Sequence, residues 1–335
     1  MSSTDVTGQS SPTTPGRQAP FVQRLIDVTF TLAQGTFGIE NNNTNQIKLS
    51  GLRISARIAN WGGYATGILD MDIYGMPFGL MNRLSTLGVT IQNDVTKLLS
   101  NVVTVTAGNN IQGMGIVFQG TILSAWSDFE PAPEVPFRVH AQVMAAQGVI
   151  AYPPSSFNGP TDVATIFSGL AAAMNLRFEN NGVSATIPKP YLWGSAKDQL
   201  IQAITQAGVS CNMGENGVLA IWPKKGNRSG QVPLISPSTG MIGYPSYSSV
   251  GIIVRSIFNP SVGLGESGNT MGASSTGSGG GPLLGGLIQI QSSLPQANGT
   301  YKVYGLDHVL ESQVPHGQWF TTIKAYNPKT QSQPL

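Results

Sequence analysis

The stretch that decides the fold is LRISARI, residues 52–58. Leu52, Ile54, Ala56 and Ile58 alternate with Arg53, Ser55 and Arg57. Side chains of a strand point by turns to opposite faces, so a period of two puts the apolar groups on a dry face and the polar ones on a wet face. The same period recurs to either side. Ile26, Val28, Phe30 and Leu32 alternate with Asp27, Thr29 and Thr31, and Leu69, Met71 and Ile73 with Asp70 and Asp72. Phe137, Val139, Ala141 and Val143 alternate with Arg138, His140 and Gln142. Val103, Val105 and residues 115–126 supply further strands, and PFGLMNRLSTL at 77–87 reads as a short helix. So many half-wet strands within residues 21–148 predict an antiparallel barrel or sandwich.

Downstream the pattern changes. Residues 149–226 hold an internal repeat. Thr161 is read as the cap of a helix with Val163, Ile166, Phe167, Leu170 and Met174 on one face, and Ser195 as the cap of a second with Leu200, Ile201 and Ile204. Each helix is followed by an Asn-Gly pair, Asn181-Gly182 and Asn216-Gly217, the strongest short hairpin signal. A helix–strand–strand unit is too small to bury its own apolar face, so the two copies are expected to pack as one module. From residue 227 strands return, at Ile252–Phe258, Leu287–Gln291, Tyr301–Leu310 and Trp319–Tyr326. Residues 261–286, rich in Gly and Ser, read as a flexible loop, and 327–335 as a loose tail. Residues 1–20 are rich in Ser, Thr, Gly and Pro and read as a disordered arm, or one ordered only by a neighbour. The fold class expected is mainly β with an α+β insert: two antiparallel β-barrel domains, 21–148 and 227–335, flanking a duplicated module at 149–226.

Only 10% of the 335 residues are Asp, Glu, Lys or Arg, where soluble domains average about 25%. Uncharged polar residues and 41 glycines take their place. A surface poor in charge suits burial against other proteins, since no ion must be desolvated. The net charge is +2, and no basic stripe with interleaved aromatics marks a nucleic-acid binder. Lys224, Lys225 and Arg228 read as a solvated turn. One cysteine, Cys211, excludes an internal disulfide and a cysteine zinc site, and its place in a strand pattern makes it a small core residue. No secretory leader and no membrane span are expected, because residues 1–20 lack an apolar segment and no run approaches ~18 apolar residues.

Three groups of residues could carry chemistry. Asp70 and Asp72 share a strand face, which also explains them as outward polar groups. Asp128, Glu130 and Glu134 offer the acid and nucleophile of a peptidoglycan-degrading glycosidase, but they lie in a proline-rich run, DFEPAPEVP. Asp307, His308, Glu311 and His316 form the densest titratable group, yet on a strand Asp307 and His308 point to opposite faces. No phosphate loop, nucleophile elbow or dinucleotide pattern occurs in the required context. Neither a catalytic site nor a cofactor is expected. The five tryptophans, Trp61, Trp126, Trp193, Trp222 and Trp319, keep a tail-tip carbohydrate-binding protein as an alternative.

SPSTGMIGYPSYSSVGIIVRSIFNP (236–260), NGTYKVYGLDHVLESQVPHGQWFTTIKAY (298–326) and the helix–strand–strand pair at 161–222 together resemble baseplate hub proteins of contractile-tailed bacteriophages, the late control protein D-like family. The resemblance rests on Thr239, Gly240, Met241, Ile242, Gly243 and Pro245. It continues through Asn298, Gly299, Tyr301, Val303, His308, Leu310, Ser312, Gly317 and Trp319. It is close over roughly 150–326 and general over 21–147. It implies a homotrimer whose tube-like barrels form a ring that adapts the sixfold tail tube to the threefold central spike. DNA and the tape-measure protein would pass through the bore, and baseplate wedge proteins would bind outside. The product would be a virion component made in the host cytoplasm. Trp319, Phe320 and Tyr326 are then expected to pack the second barrel or its interface. Tyr244, Pro245 and Tyr247 are expected to fix the turn into its first strand.

Overall fold

The computed structural model describes residues 22–33, 35–38, 43–85, 101–111, 113–215, 217–259 and 281–329. The alternating stretches form strands. In the first β region these are β1 (Arg24–Thr31), β2 (Gln46–Leu49), β3 (Arg53–Trp61), β4 (Ile68–Tyr74), β5 (Val102–Asn109), β6 (Gly113–Ser127) and β7 (Pro136–Gln142). Helix α1 (Phe78–Leu84) follows β4, and α2 (Ala145–Val149) follows β7. The insert carries α3 (Val163–Ala173), β8 (Arg177–Asn180), α4 (Ala196–Ala207), β9 (Val209–Glu215) and β10 (Val218–Pro223). The second β region has β11 (Met241–Tyr247), β12 (Ile252–Ile257), β13 (Leu287–Ile290), β14 (Gly299–Ser312) and β15 (Trp319–Tyr326). The chain is mainly β with a small α/β insert, the class read from the sequence.

The two β regions are hydrogen-bonded into one sheet. Its order is β11-β12-β15-β14-β3-β4-β7-β6-β5-β1-β2, every neighbour antiparallel, with β13 beside the start of β14. The seam is β14 against β3, an unbroken register from Gly305↔Trp61 to Ser312↔Ile54. β14 can serve as the joint because it is long. Its first residues pair with β13, a register slip at Val303/Gly305 follows, and the remainder carries β15 on one side and β3 on the other. Among the described residues the hydrogen-bonded path stays open, from β11 to β2. The first region instead curls on itself through side chains. Phe30 of β1 meets Phe137 of β7 edge to face at 6.4 Å, while Arg24 Nη1 ties β1 to the second region by donating to Gly317 O at 2.6 Å.

The cores interlock as well. The larger one holds the inward residues of β1, β3, β4, β5 and β7 together with the insert's Val163, Phe167, Leu170, Leu200 and Ile204, and with Phe258, Leu310 and Trp319 from the second β region. The smaller one holds Met241, Ile252, Val254, Leu284, Ile288, Ile290, Val303, Leu306 and Ile323.

Within the insert the repeat is visible, but its pairing differs from the expectation. Ser195 caps α4 in a reciprocal box with Asp198. For α3 the cap is Asp162, not Thr161: the Asp162 side chain accepts from Thr165 N, while Thr161 begins a two-residue strand. The Asn181-Gly182 turn closes no hairpin. Thr186–Ile187 turns back to pair with Thr161–Asp162, and β8 pairs parallel with β10 of the other unit. Asn181 serves tertiary partners instead, donating through its backbone N and Nδ2 to Ile221 O. The second unit does form a hairpin, β9 with β10, through Gly217 at φ +73°; Asn216 lies outside the described residues. Arg228 is not in a solvated turn. It is buried and grips Glu179 twice, Nη2–Oε2 at 2.7 Å and Nε–Oε1 at 3.0 Å. Burial raises the Glu179 carboxyl, and the guanidinium more than offsets this, leaving it below its ordinary value. The flexible-loop reading of 261–286 also ran too far at its end: Leu284 is buried and Gly285 lies under the Trp222 ring. Residues 1–20, 261–280 and 330–335 lie outside the described residues.

Candidate functional site

The candidate site is a surface: the outward face of the eight strands from β11 to β6. Directly opposed residues share a face, so the registers define its rows. One row runs Phe320, Val309, Arg57, Asp70, His140 and Ser124. Another runs Glu311, Ser55, Asp72, Arg138 and Trp126. A third holds Arg255, Thr322, Asp307 and Ala59. Polar and charged groups on this face pair with one another. His140 Nδ1 lies 2.6 Å from Asp70 Oδ1, Arg138 Nε 2.8 Å from Asp128 Oδ2, Arg53 Nη1 2.9 Å from Glu134 Oε2, and Lys324 Nζ 2.6 Å from Asp307 Oδ2. Arg53 also stacks on Tyr74 and Arg255 on Phe320, each 4.1 Å from the ring centre. Exposed ion pairs of this kind add at most about 1 kcal/mol each. Their larger effect is a broad polar face with no surplus of either sign.

Two strand edges bound this face. β11 has β12 on one side and no neighbour among the described residues on the other. β6 pairs with β5 only as far as Thr121, so beyond Ile122 it keeps β7 alone. Exposed apolar side chains stand near both ends: Tyr244 (70% exposed), Tyr247 (62%) and Ile257 at one, Trp126 and Phe129 at the other. An unpaired edge of this kind is a template for a further strand.

The residues singled out from the sequence fall into two groups. Trp319 and Tyr326 are buried, and Phe320 is half-buried on the outward face. Trp319 packs edge-on against Phe258 at 5.4 Å under the Arg24 guanidinium, and so belongs to the core of the first β region. On β11, Pro245 is buried while Tyr244 and Tyr247 are exposed. The two tyrosines therefore sit along an open edge beside a register slip between Ile242 and Ser246.

Among the described residues, the titratable groups singled out from the sequence do not gather into one cluster. Asp70 and Asp72 lie outward, opposite His140 and Arg138. Asp128 and Glu134 are ion-paired to sheet arginines. Asp307 faces outward, whereas His308 is buried against Phe258 with Nδ1 3.0 Å from Thr321 Oγ1, and burial pushes its pKa down to about 4. Glu311 accepts from Gln318 N, and His316 sits in the hairpin between β14 and β15. Cys211 is buried and its thiol is pushed up to about 12, away from nucleophilic use. Among the described residues no cluster of three metal-ligating side chains occurs, and no helix is long and apolar enough to cross a membrane.

Of the most exposed aromatics of the insert, the sequence reading named Trp193 among the five tryptophans but passed over Tyr191. Tyr191 (60% exposed) and Trp193 (62%) flank the fully buried Leu192. That out-in-out alternation was present in the sequence, though too short to register as a strand.

No protein-family model and no curated protein matches the chain. Among solved structures it is similar to the tail protein from Neisseria meningitidis MC58, at 10% identity over 90% of this chain and 96% of that one, with a TM-score of 0.54. It is also similar to the 43 kDa tail protein of prophage MuSo2 from Shewanella oneidensis, at 10% identity over 90% and 97% of the two chains, with a TM-score of 0.52. At such identity the likeness is one of fold, and it runs almost end to end in both partners.

Proposed function

We propose that this chain is a structural hub subunit of a phage-type tail baseplate and not an enzyme. In this reading three copies close into a ring that adapts the sixfold tail tube to the threefold central spike. The observation that carries it is the seam of β14 on β3. It lays the two β regions side by side and gives both the same kind of outward face. Three chains then present six β units around one axis, which is what a joint between sixfold and threefold partners needs. The wet face turns inward and lines a bore. Its matched charges suit the passage of DNA, because surplus cations would bind phosphates and release counterions. The open edges of β11 and β6 supply a head-to-tail contact, the kind that closes into a ring when the rotation fits. The sparse charge of the chain agrees with a working life inside an assembly. Tail tube, spike, wedge and tape-measure proteins are the partners of this reading, and the virion tail is the location.

Electron microscopy of the purified chain tests it. Class averages with threefold symmetry and an open bore lined by β3 and β14 support the proposal. Monomeric particles, or a ring with the β14–β3 face on its outside, overturn it. A zymogram with a lysis zone abolished by Glu130→Gln would move the chain to the peptidoglycan-degrading class.

A further inference from the structure

Asn-Gly pairs stand at 158–159, 181–182, 216–217 and 298–299. In such a pair the backbone N of the glycine reaches the side-chain Cγ of the asparagine with no Cβ in the way. The sequence makes the four alike, and the structure separates the three that it describes; Asn216 lies outside the described residues. Asn181 is tied on every side. Its Nδ2 donates to Glu179 Oε1 at 2.9 Å and to Ile221 O at 3.2 Å, its Oδ1 accepts from Ser229 N at 2.8 Å, and its backbone N donates to Ile221 O at 2.8 Å. Asn298 is exposed but held. Its Oδ1 accepts from Ser292 N at 2.7 Å, its backbone N donates to Pro295 O at 3.2 Å, and Gly299 enters β14 opposite Ile290. Asn158 differs from both. It is exposed in a bend between Phe157 and Pro160, and among the described residues neither its side chain nor Gly159 N has a hydrogen-bond partner. The space around Gly159 is open, with nothing within 4 Å of an added Cβ.

We propose that Asn158 is a self-modification site, an asparagine that deamidates in the folded chain while Asn181 and Asn298 are protected. Hydroxide takes the proton from Gly159 N, and that nitrogen attacks Cγ of Asn158. The new C–N bond closes a succinimide ring and the Cγ–Nδ2 bond breaks. Ammonia leaves with a proton from water, which restores the hydroxide. Water then opens the ring at either carbonyl, giving aspartate or isoaspartate. Nothing is oxidised or reduced, and water is the co-reactant. Attack needs the side chain and the following peptide free to turn toward each other. For Asn181 three side-chain hydrogen bonds must break first, which at ordinary net strengths slows the step by about tenfold or more. Asn158 has none to break. The product bears on the insert. Thr161 Oγ1 donates to Gly159 O at 3.0 Å, and Asp162 beside it caps α3. An isoaspartate at 158 adds a methylene to the main chain just ahead of that turn, so the start of α3 is the element it disturbs.

The test incubates the full chain in mildly alkaline buffer and follows the three peptides by mass spectrometry, with isoaspartyl methyltransferase labelling any isoaspartate. In the folded chain the Asn158 peptide is expected to convert about tenfold faster than those holding Asn181 and Asn298, and in urea the three rates converge. Gly159→Ala, for which the space is open, slows the Asn158 peptide about tenfold, because its Cβ crowds the attacking nitrogen. Thermal melting checks that this variant keeps the fold. An Asn158 peptide that stays intact, equal rates in the folded chain, or a rate indifferent to Gly159→Ala overturns the proposal. A ranking unchanged in urea overturns it as well, since the order would then come from sequence neighbours and not from the fold. No arm of the test depends on whether the chain forms a ring.

Discussion

Trp319 belongs by sequence to the second β region and by packing to the core of the first. Replacing it with alanine therefore asks whether the two regions fold as one unit. The side chain is 3% exposed and sits edge-on to Phe258 at 5.4 Å with Arg24 above it. Burial of a Trp-sized side chain at ~25 cal/mol/Å² is worth about 4–6 kcal/mol, and buried Trp→Ala changes cost about 3–5 kcal/mol once the cavity has partly relaxed. The edge contact and the cation–π contact lie within that range. At about 2 °C per kcal/mol for a chain of this size, the melting temperature falls by about 6–10 °C. Thermal melting gives the magnitude and hydrogen exchange gives the location. Faster exchange is expected at Ile26, Val28 and Phe30 in β1 as well as in β15, because Trp319 helps hold β1 through Arg24 and the hairpin at Gly317. Unchanged protection in β1 with loosening confined to β12–β15 would refute the shared core.

Three further outcomes follow from buried groups at the joints. Lys302 donates to Gly226 O at 2.7 Å over the Trp222 ring, and burial lowers its pKa from 10.5 to about 8. Between those values the unfolded chain holds a proton that the folded chain has released, so stability rises with pH from about 8 towards 10.5, and Lys302→Met flattens that rise in denaturation curves. His308, lowered from 6.5 to about 4, works in the same direction at lower pH. Stability falls as pH drops from 6.5 towards 4, and the difference between the chain and His308→Gln measured at pH 7 and pH 5 isolates this part. Gly285 lies at φ +77°, where an added Cβ overlaps the Trp222 ring, so Gly285→Ala costs about 1–3 kcal/mol by chemical denaturation, and an unperturbed midpoint would disprove that packing.

Much of this architecture is local and was legible. Strands announce themselves by alternation, and Ser195 with Asp198 announces a helix start. The order of strands in the sheet is not local. β14 and β3 lie about 250 residues apart, and nothing in LRISARI says that its partner is GLDHVLES. Both strands carry one dry face, so both needed a neighbour, but alternation fixes the face and not the partner. Asn181-Gly182 misled because a local hairpin preference lost to Asn181's bonds to Ile221 and to the parallel pairing of β8 with β10. Arg228 misled because a charged turn residue is normally wet, and only the fold brings Glu179 to it. The outward row of Arg57, Asp70 and His140 could be read residue by residue, while its meaning as one wide neutral face appeared only with the registers.

Native mass spectrometry of the intact chain at micromolar concentration decides whether three copies assemble. A trimeric hub gives a species at three times the 35.2 kDa chain mass, lost when Tyr247 on the open edge of β11 is changed to Asp. A chain that stays monomeric across that concentration range would contradict it.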